Sequence, residues 1–123
     1  MRARGFTMIE LLVTLAIVGL ILTLAAPRYF SNIDRAREDV LREDLYILRD
    51  AIDKFYADRN VYPAELTDLV KEKYLRAIPV DPITRSTASW ILVPPEDATL
   101  GKVADVRSGA ANKGRNGIPY ADW

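Results

Sequence analysis

The sequence predicts an α+β fold: a long N-terminal helix, its N-terminal half apolar enough to lie in a membrane, packed on a small C-terminal head with a short helix and a small antiparallel β-sheet. Three observations carry this. Residues 11–26 are apolar apart from Thr14, Gly19 and Thr23. Between Tyr29 and Tyr56 apolar side chains recur every three or four residues, the period of a helix with one buried face. Beyond Asn60 the chain turns to prolines, β-branched runs and glycines, which suit turns and short strands. At 123 residues the chain is one domain at most, and its first quarter is too apolar for a soluble core, so the folding part is small.

With residues 6–9 added, the apolar stretch reaches the roughly 20 residues a helix needs to cross a bilayer. Arg2 and Arg4 precede it with no acidic residue beside them, which keeps the N-terminus cytoplasmic and sends everything after Pro27 outward. Glu10 stands against this pattern, because a carboxylate deep in lipid costs about 2.5 to 3.5 kcal/mol on insertion scales. A cleaved secretory signal fits poorly. Its best site, Leu24-Ala25-Ala26, has a large side chain where a small one is needed, and Glu10 interrupts the entry to the apolar run. A plain signal anchor explains the hydrophobicity and the topology but leaves Glu10 unexplained.

Pro27 should bend or locally loosen the helix, since its ring removes a backbone donor and clashes with the preceding turn, while the helix continues beyond it. The amphipathic part places Ile33, Ala36, Val40, Leu41, Leu45, Leu48, Ile52, Phe55 and Tyr56 on its apolar side and "DRAREDVLRED" on its charged side. A continuous rod of about 50 residues would be roughly 75 Å long. Asn60 and Pro63 break the period, and a short helix restarts at about Ala64, presenting Leu66, Leu69 and Val70. Pro79 and Pro82 exclude helix from "YLRAIPVDPITRS". Short strands around Trp90–Val93 and Val103–Val106 should pair as an antiparallel hairpin closed by "PEDATLGK". The glycine-rich "SGAANKGRNGIPYADW" reads as irregular chain anchored by Tyr120 and Trp123.

Composition excludes several classes of chemistry. Lys and Arg together number 17, as do Asp and Glu, so there is no excess of positive charge to displace counterions from a nucleic acid. Cysteine and histidine are both absent. That removes disulfides, zinc–thiolate sites, Ser-His-Asp and Cys-His catalysis, and the commonest metal ligand.

"GFTMIE" followed by the apolar run resembles the class III signal of type IV pilins and pseudopilins, in which Gly, Phe and a Glu four residues after the Phe precede a hydrophobic helix. The resemblance implies that a membrane peptidase cuts between Gly5 and Phe6 and methylates the new Phe6 N-terminus. Residues 1–5 would then be a leader peptide, 6–28 the transmembrane and filament-core helix, and 29–123 a periplasmic head that includes the amphipathic half of the long helix. It also gives Glu10 a task. After cleavage, the Phe6 amine and the Glu10 carboxylate would stand four residues apart on one helix, and the family places the stronger pairing between subunits. A glutamate snorkelling to the cytoplasmic headgroups is the plainer alternative. Further along, "N-x-Y-P", "L-x-x-I-P-x-D-P", the tryptophan strand, "D-V-x-S" and "G-x-P-Y-x-x-W" resemble the major, G-type pseudopilins of type II secretion systems over nearly the whole chain.

The implied function is that of a structural subunit, not an enzyme. It would sit in the bacterial inner membrane as a single-pass protein and then polymerise into a periplasmic pseudopilus that drives export of folded proteins. Its partners would be copies of itself, minor pseudopilins, the prepilin peptidase, the inner-membrane assembly platform and the membrane, with no nucleic acid. A type IV pilin or minor pilin of a surface fibre is the alternative; an anchored periplasmic enzyme or binding module would need a polar pocket that nothing in the sequence marks. G-type pseudopilins commonly bind calcium in the C-terminal loop, which makes Asp105, Asp122 and more weakly Asp97 candidate ligands here. Residues 107–119 contain no acidic residue but do contain Lys113 and Arg115, so ion pairs between these cations and the aspartates are the competing expectation.

Overall fold

Residues 5–123 are described by the computed structural model. Apart from Gly5, the expected leader, with Arg2 and Arg4, lies outside them. Helix α1 spans Met8–Arg59 and runs through Pro27 without interruption. The described chain comprises two compact units, residues 5–34 and residues 35–123.

In the first unit every residue from 5 to 30 is exposed. This part of α1 is long and apolar enough to cross a membrane, judged by length and composition. Among the described residues nothing covers its apolar side chains, in contrast to a soluble helix, which buries one stripe. Thr14 and Thr23 satisfy their hydroxyls locally, donating to the backbone oxygens of Glu10 and Leu20, so neither presents an unmet donor to an apolar environment.

In the second unit Leu41, Leu45, Leu48, Ile52 and Phe55 form the buried stripe of α1 at the expected spacing. Ala36 and Val40, placed on the same face by the sequence reading, are exposed, and Ile33, in the first unit, is half-buried. Glu38, assigned to the charged face, is buried instead. The stripe therefore starts one turn later than its apolar residues suggest, and it starts on a carboxylate. Asn60 ends α1 by adopting a left-handed conformation, φ 59°, while its N–H donates to Tyr56 O. Helix α2, Leu66–Lys71, buries Leu66 and Leu69, with Val70 half-buried. Asp68 accepts from the backbone N–H groups of Ala64 and Glu65, which otherwise lack partners at the helix start.

Strands β1 (Ile91–Val93) and β2 (Asp105–Arg107) pair antiparallel with Leu92 opposite Val106. They are shorter than expected: Trp90 and Val103 fall outside them. Both are nevertheless buried in the core, Trp90 with its indole N–H on Pro79 O at 2.9 Å, and Val103 with its backbone N–H on Pro63 O at 3.0 Å. Tyr120, Ala110, Leu66 and Leu69 complete the core against α1. Each large apolar side chain buried this way contributes about 1.5 to 3 kcal/mol.

One carboxylate is wholly buried in this core region. Asp81 accepts from the backbone N–H groups of Ile83 (2.9 Å) and Thr84 (3.3 Å) and from the Ser108 hydroxyl (2.6 Å), joining the proline loop to the segment after β2. Gly109 follows Ser108 closely against Ser89, where a Cβ would overlap the Ser89 carbonyl oxygen. Ser108→Ala should leave one Asp81 oxygen without its donor and lower stability by about 1 to 3 kcal/mol, measured by denaturant unfolding of the detergent-solubilised chain.

Asp44 on α1 has its carboxyl held above the usual range, chiefly by burial and then by the charges of Asp81 and Glu43. The folded state thus binds this proton more tightly than the unfolded state. Its contribution to stability therefore rises as pH falls through the raised value and levels off below the ordinary carboxylate value of 3.8. Asp44→Asn should be more stable than the parent at neutral pH, with the difference shrinking on acidification. A constant difference between neutral and acid pH in parallel denaturation curves would contradict this origin.

Candidate functional site

The start of α1 brings the sequence-derived processing and assembly residues together. Gly5, Phe6 and Thr7 precede the helix, and Glu10 lies in its first turn. Thr7 is the N-cap: its hydroxyl accepts from the Glu10 backbone N–H at 3.2 Å, and the Glu10 carboxylate accepts from the Thr7 backbone N–H at 3.2 Å. This reciprocal pair is a capping box, which satisfies two of the donors that every helix start leaves open. The carboxylate also lies at the positive end of the helix dipole. The "T-x-x-E" spacing in "TMIE" carries this signal, which the sequence reading passed over.

The capping box changes the expected relation between Phe6 and Glu10. The two were placed four residues apart on one helix, but Phe6 stands two residues ahead of the first helical residue, Met8. A Thr N-cap favours an extended rather than helical backbone at Thr7, so the helix cannot begin earlier without giving up the cap. Phe6 and Glu10 still border the same surface, together with Ile9, Val13 and Thr14. Phe6 is 91% exposed, and a Cβ placed on Gly5 would meet nothing within 4 Å. No packing within the described chain calls for glycine at position 5.

The C-terminal candidates sit elsewhere, in the second unit. Asp105 Oδ1 accepts from Arg49 Nε at 2.8 Å and from the Val106 backbone N–H at 2.8 Å. The second terminal nitrogen of Arg49 donates to Val106 O (3.1 Å) and Trp123 O (2.7 Å). Asp122 lies 3.8 Å from Arg107, whose guanidinium also donates to Ala121 O at 3.2 Å. Asp97 caps the turn at Ala98–Leu100; hydrogen bonds from the Thr99 hydroxyl and then the Thr99 backbone hold its carboxyl below the usual range. Among the described residues no three carboxylates gather in a way that could hold a metal ion. The oxygen set that calcium would need is thus directed at a guanidinium, and the residues present do not fit the ion.

The competing expectation is also revised. The cations that meet Asp105 and Asp122 are Arg49 and Arg107, not Lys113 and Arg115. Arg115 takes part through its backbone N–H, which donates to Glu38 Oε1 at 2.8 Å; the Tyr120 hydroxyl donates to the same oxygen at 2.9 Å. Arg42 lies over the Trp123 ring, 4.5 Å from its centroid, and Trp123 packs on Tyr120 with centroids 5.0 Å apart. Gly114 passes directly beneath that indole, where a Cβ would collide with it.

Comparison with known proteins now places the chain. Residues 1–26 match the family model of the prokaryotic N-terminal methylation motif. Type II secretion system core protein G of Escherichia coli (strain K12) is 29% identical over 66% of this chain and 67% of its own length, and that of Pseudomonas aeruginosa is 32% identical over 63% and 66%. The chain is similar to type II secretion system core protein G of several bacteria. Core protein G of Pectobacterium carotovorum is 28% identical, with 62% of its length covered, so the chain spans about two thirds or less of these relatives. Fimbrial protein EcpC of Eikenella corrodens, another relative, is 28% identical over 63% of the chain and 54% of its own length. No solved structure matches. The matched methylation motif covers the residues that form the capping box.

The capping geometry gives a direct expectation. Thr7→Ala should weaken the first turn of α1 by about 1 kcal/mol, whereas Thr7→Ser should preserve it. Hydrogen exchange at the Glu10 amide of the full chain in micelles is the measurement: it should quicken in the first variant and stay near the parent in the second.

Proposed function

We propose that this chain is a structural subunit of the periplasmic pseudopilus of a type II secretion system, polymerising through its N-terminal helix to drive export of folded proteins. The observation that carries the reading is similarity to several core G proteins in a chain that begins with the methylation motif and continues as a wholly exposed apolar helix.

The steps follow from the residues. The chain first lies in the inner membrane with its N-terminus cytoplasmic and its head periplasmic. A prepilin peptidase hydrolyses the Gly5–Phe6 bond, and the released Phe6 amine is methylated. The exposed, open backbone at Gly5 supports this, since nothing in the described fold asks for glycine there and a peptidase would. Until that cut, Glu10 is held by Thr7, which lessens the cost of a carboxylate at the edge of the membrane. During assembly the carboxylate meets the methylated amine of a neighbouring copy, and the apolar helices cover one another as they leave the lipid. The inner-membrane assembly platform, minor pseudopilins and an energy source across the membrane complete the machine. No catalytic residue is asked of this chain.

Mass analysis of the N-terminus should find N-methyl-Phe6; an intact Met1 or a start at Pro27 would sink the reading. Glu10→Gln should leave the subunit in the membrane, processed but unassembled, with secretion lost. Assembly at the parental rate would instead favour a carboxylate that merely reaches the headgroups. The fimbrial relative supports a second reading, a pilin of a surface fibre. Deleting the gene separates the two, since secretion fails in one case and fibre production in the other.

A further inference from the structure

The segment from Asp105 to Trp123 contains only one three-residue strand and one turn of 3-10 helix, yet Ser108, Ala110, Gly114 and Tyr120 within it are buried. Something other than regular secondary structure must fix its path. Three oxygens from its two ends, Asp105 Oδ1, Val106 O and Trp123 O, converge on Arg49 of α1. One carboxylate and two main-chain oxygens form the kind of set that a hard cation takes. Here the cation is part of the chain.

We propose that Arg49 is the built-in cation of the C-terminal segment, joining its two ends to α1 so that the order of the head does not depend on a divalent metal. A guanidinium suits this task because its donors point in fixed, coplanar directions. Being part of the chain, it does not leave with a chelator. The middle of the segment is held from the same helix by Glu38, through Arg115 N–H and the Tyr120 hydroxyl, and its end by Arg42 over Trp123. Glu38, Arg42 and Arg49 lie on one stripe of α1, so the segment follows the helix along about three turns. The inference concerns the isolated chain and stands whether the filament serves secretion or a surface fibre.

Lys113 and Arg115 are exposed, and trypsin cutting after them reports how well the segment is held. The full chain in detergent should be cut at one rate with added calcium, with a chelator, or with neither. Arg49→Gln should raise that rate about tenfold or more, as expected for losing charge-assisted hydrogen bonds. Arg49→Lys should fall between, because an ammonium keeps the charge but not the fork. Adding Asp105→Asn to Arg49→Gln should change little further, since the two act as a pair. Faster cutting of the parent chain in chelator, or protection by calcium, would overturn the proposal, as would an Arg49→Gln chain cut at the parental rate. The chelator comparison needs no variant and so decides even where Arg49→Gln fails to fold.

Discussion

The head has two three-residue strands and a six-residue helix, too little regular structure to enclose a core, so nearly everything depends on burial against the stripe Leu41, Leu45, Leu48, Ile52 and Phe55 of α1. A hairpin that short is not stable alone in water, and an isolated helix of one or two turns is not either. Trp90, Val103 and Tyr120 arrive from separate stretches of the chain and join that stripe in one buried core. The loops can be irregular because their polar groups are tied down individually: Pro79 O by the Trp90 indole, Pro63 O by Val103, and the Asp81 carboxylate by two amides and a hydroxyl.

In the first unit the same helix solves the opposite problem. Among the described residues nothing covers its apolar stretch from 5 to 30, and the carboxylate at its start is not left bare. Thr7 and Glu10 satisfy each other's backbone N–H groups. A charge that would be expensive in a featureless apolar helix is thereby placed where a helix start already demands acceptors. The arrangement also keeps the group available, since a cap on an exposed helix end is worth only about 1 kcal/mol and yields readily to a stronger, oppositely charged partner.

Much of this was legible in the sequence. The three-to-four-residue recurrence from Leu41 to Phe55 marked the buried stripe, Asn60 marked the end of α1, and the β-branched runs marked both strands. What stayed hidden was the direction of the charged residues. Periodicity tells which residues share a face, but "DRAREDVLRED" contains Glu38 and Arg42 on the turns that happen to meet a segment some 80 positions away, and nothing local distinguishes them from Arg37 or Glu43. Arg49 was hidden for the same reason. Its partners Asp105, Val106 and Trp123 are set by the return path of the chain, not by any motif. The capping box was different: its spacing stood in the sequence beside the more conspicuous Gly-Phe and Glu, which drew the reading toward processing.

The brevity of β1 and β2 has a consequence for the proposed filament. A two-stranded sheet has two free edges, and Ile91 and Leu92 on β1 are exposed, a combination that in a longer strand would recruit another copy edge to edge. Three residues offer too few backbone groups for such pairing to hold. Pro94 and Pro95 follow directly and, lacking N–H groups, prevent the strand from lengthening. In the proposed filament, heads packed at high local concentration gain no second, unregulated route to polymer through their sheets.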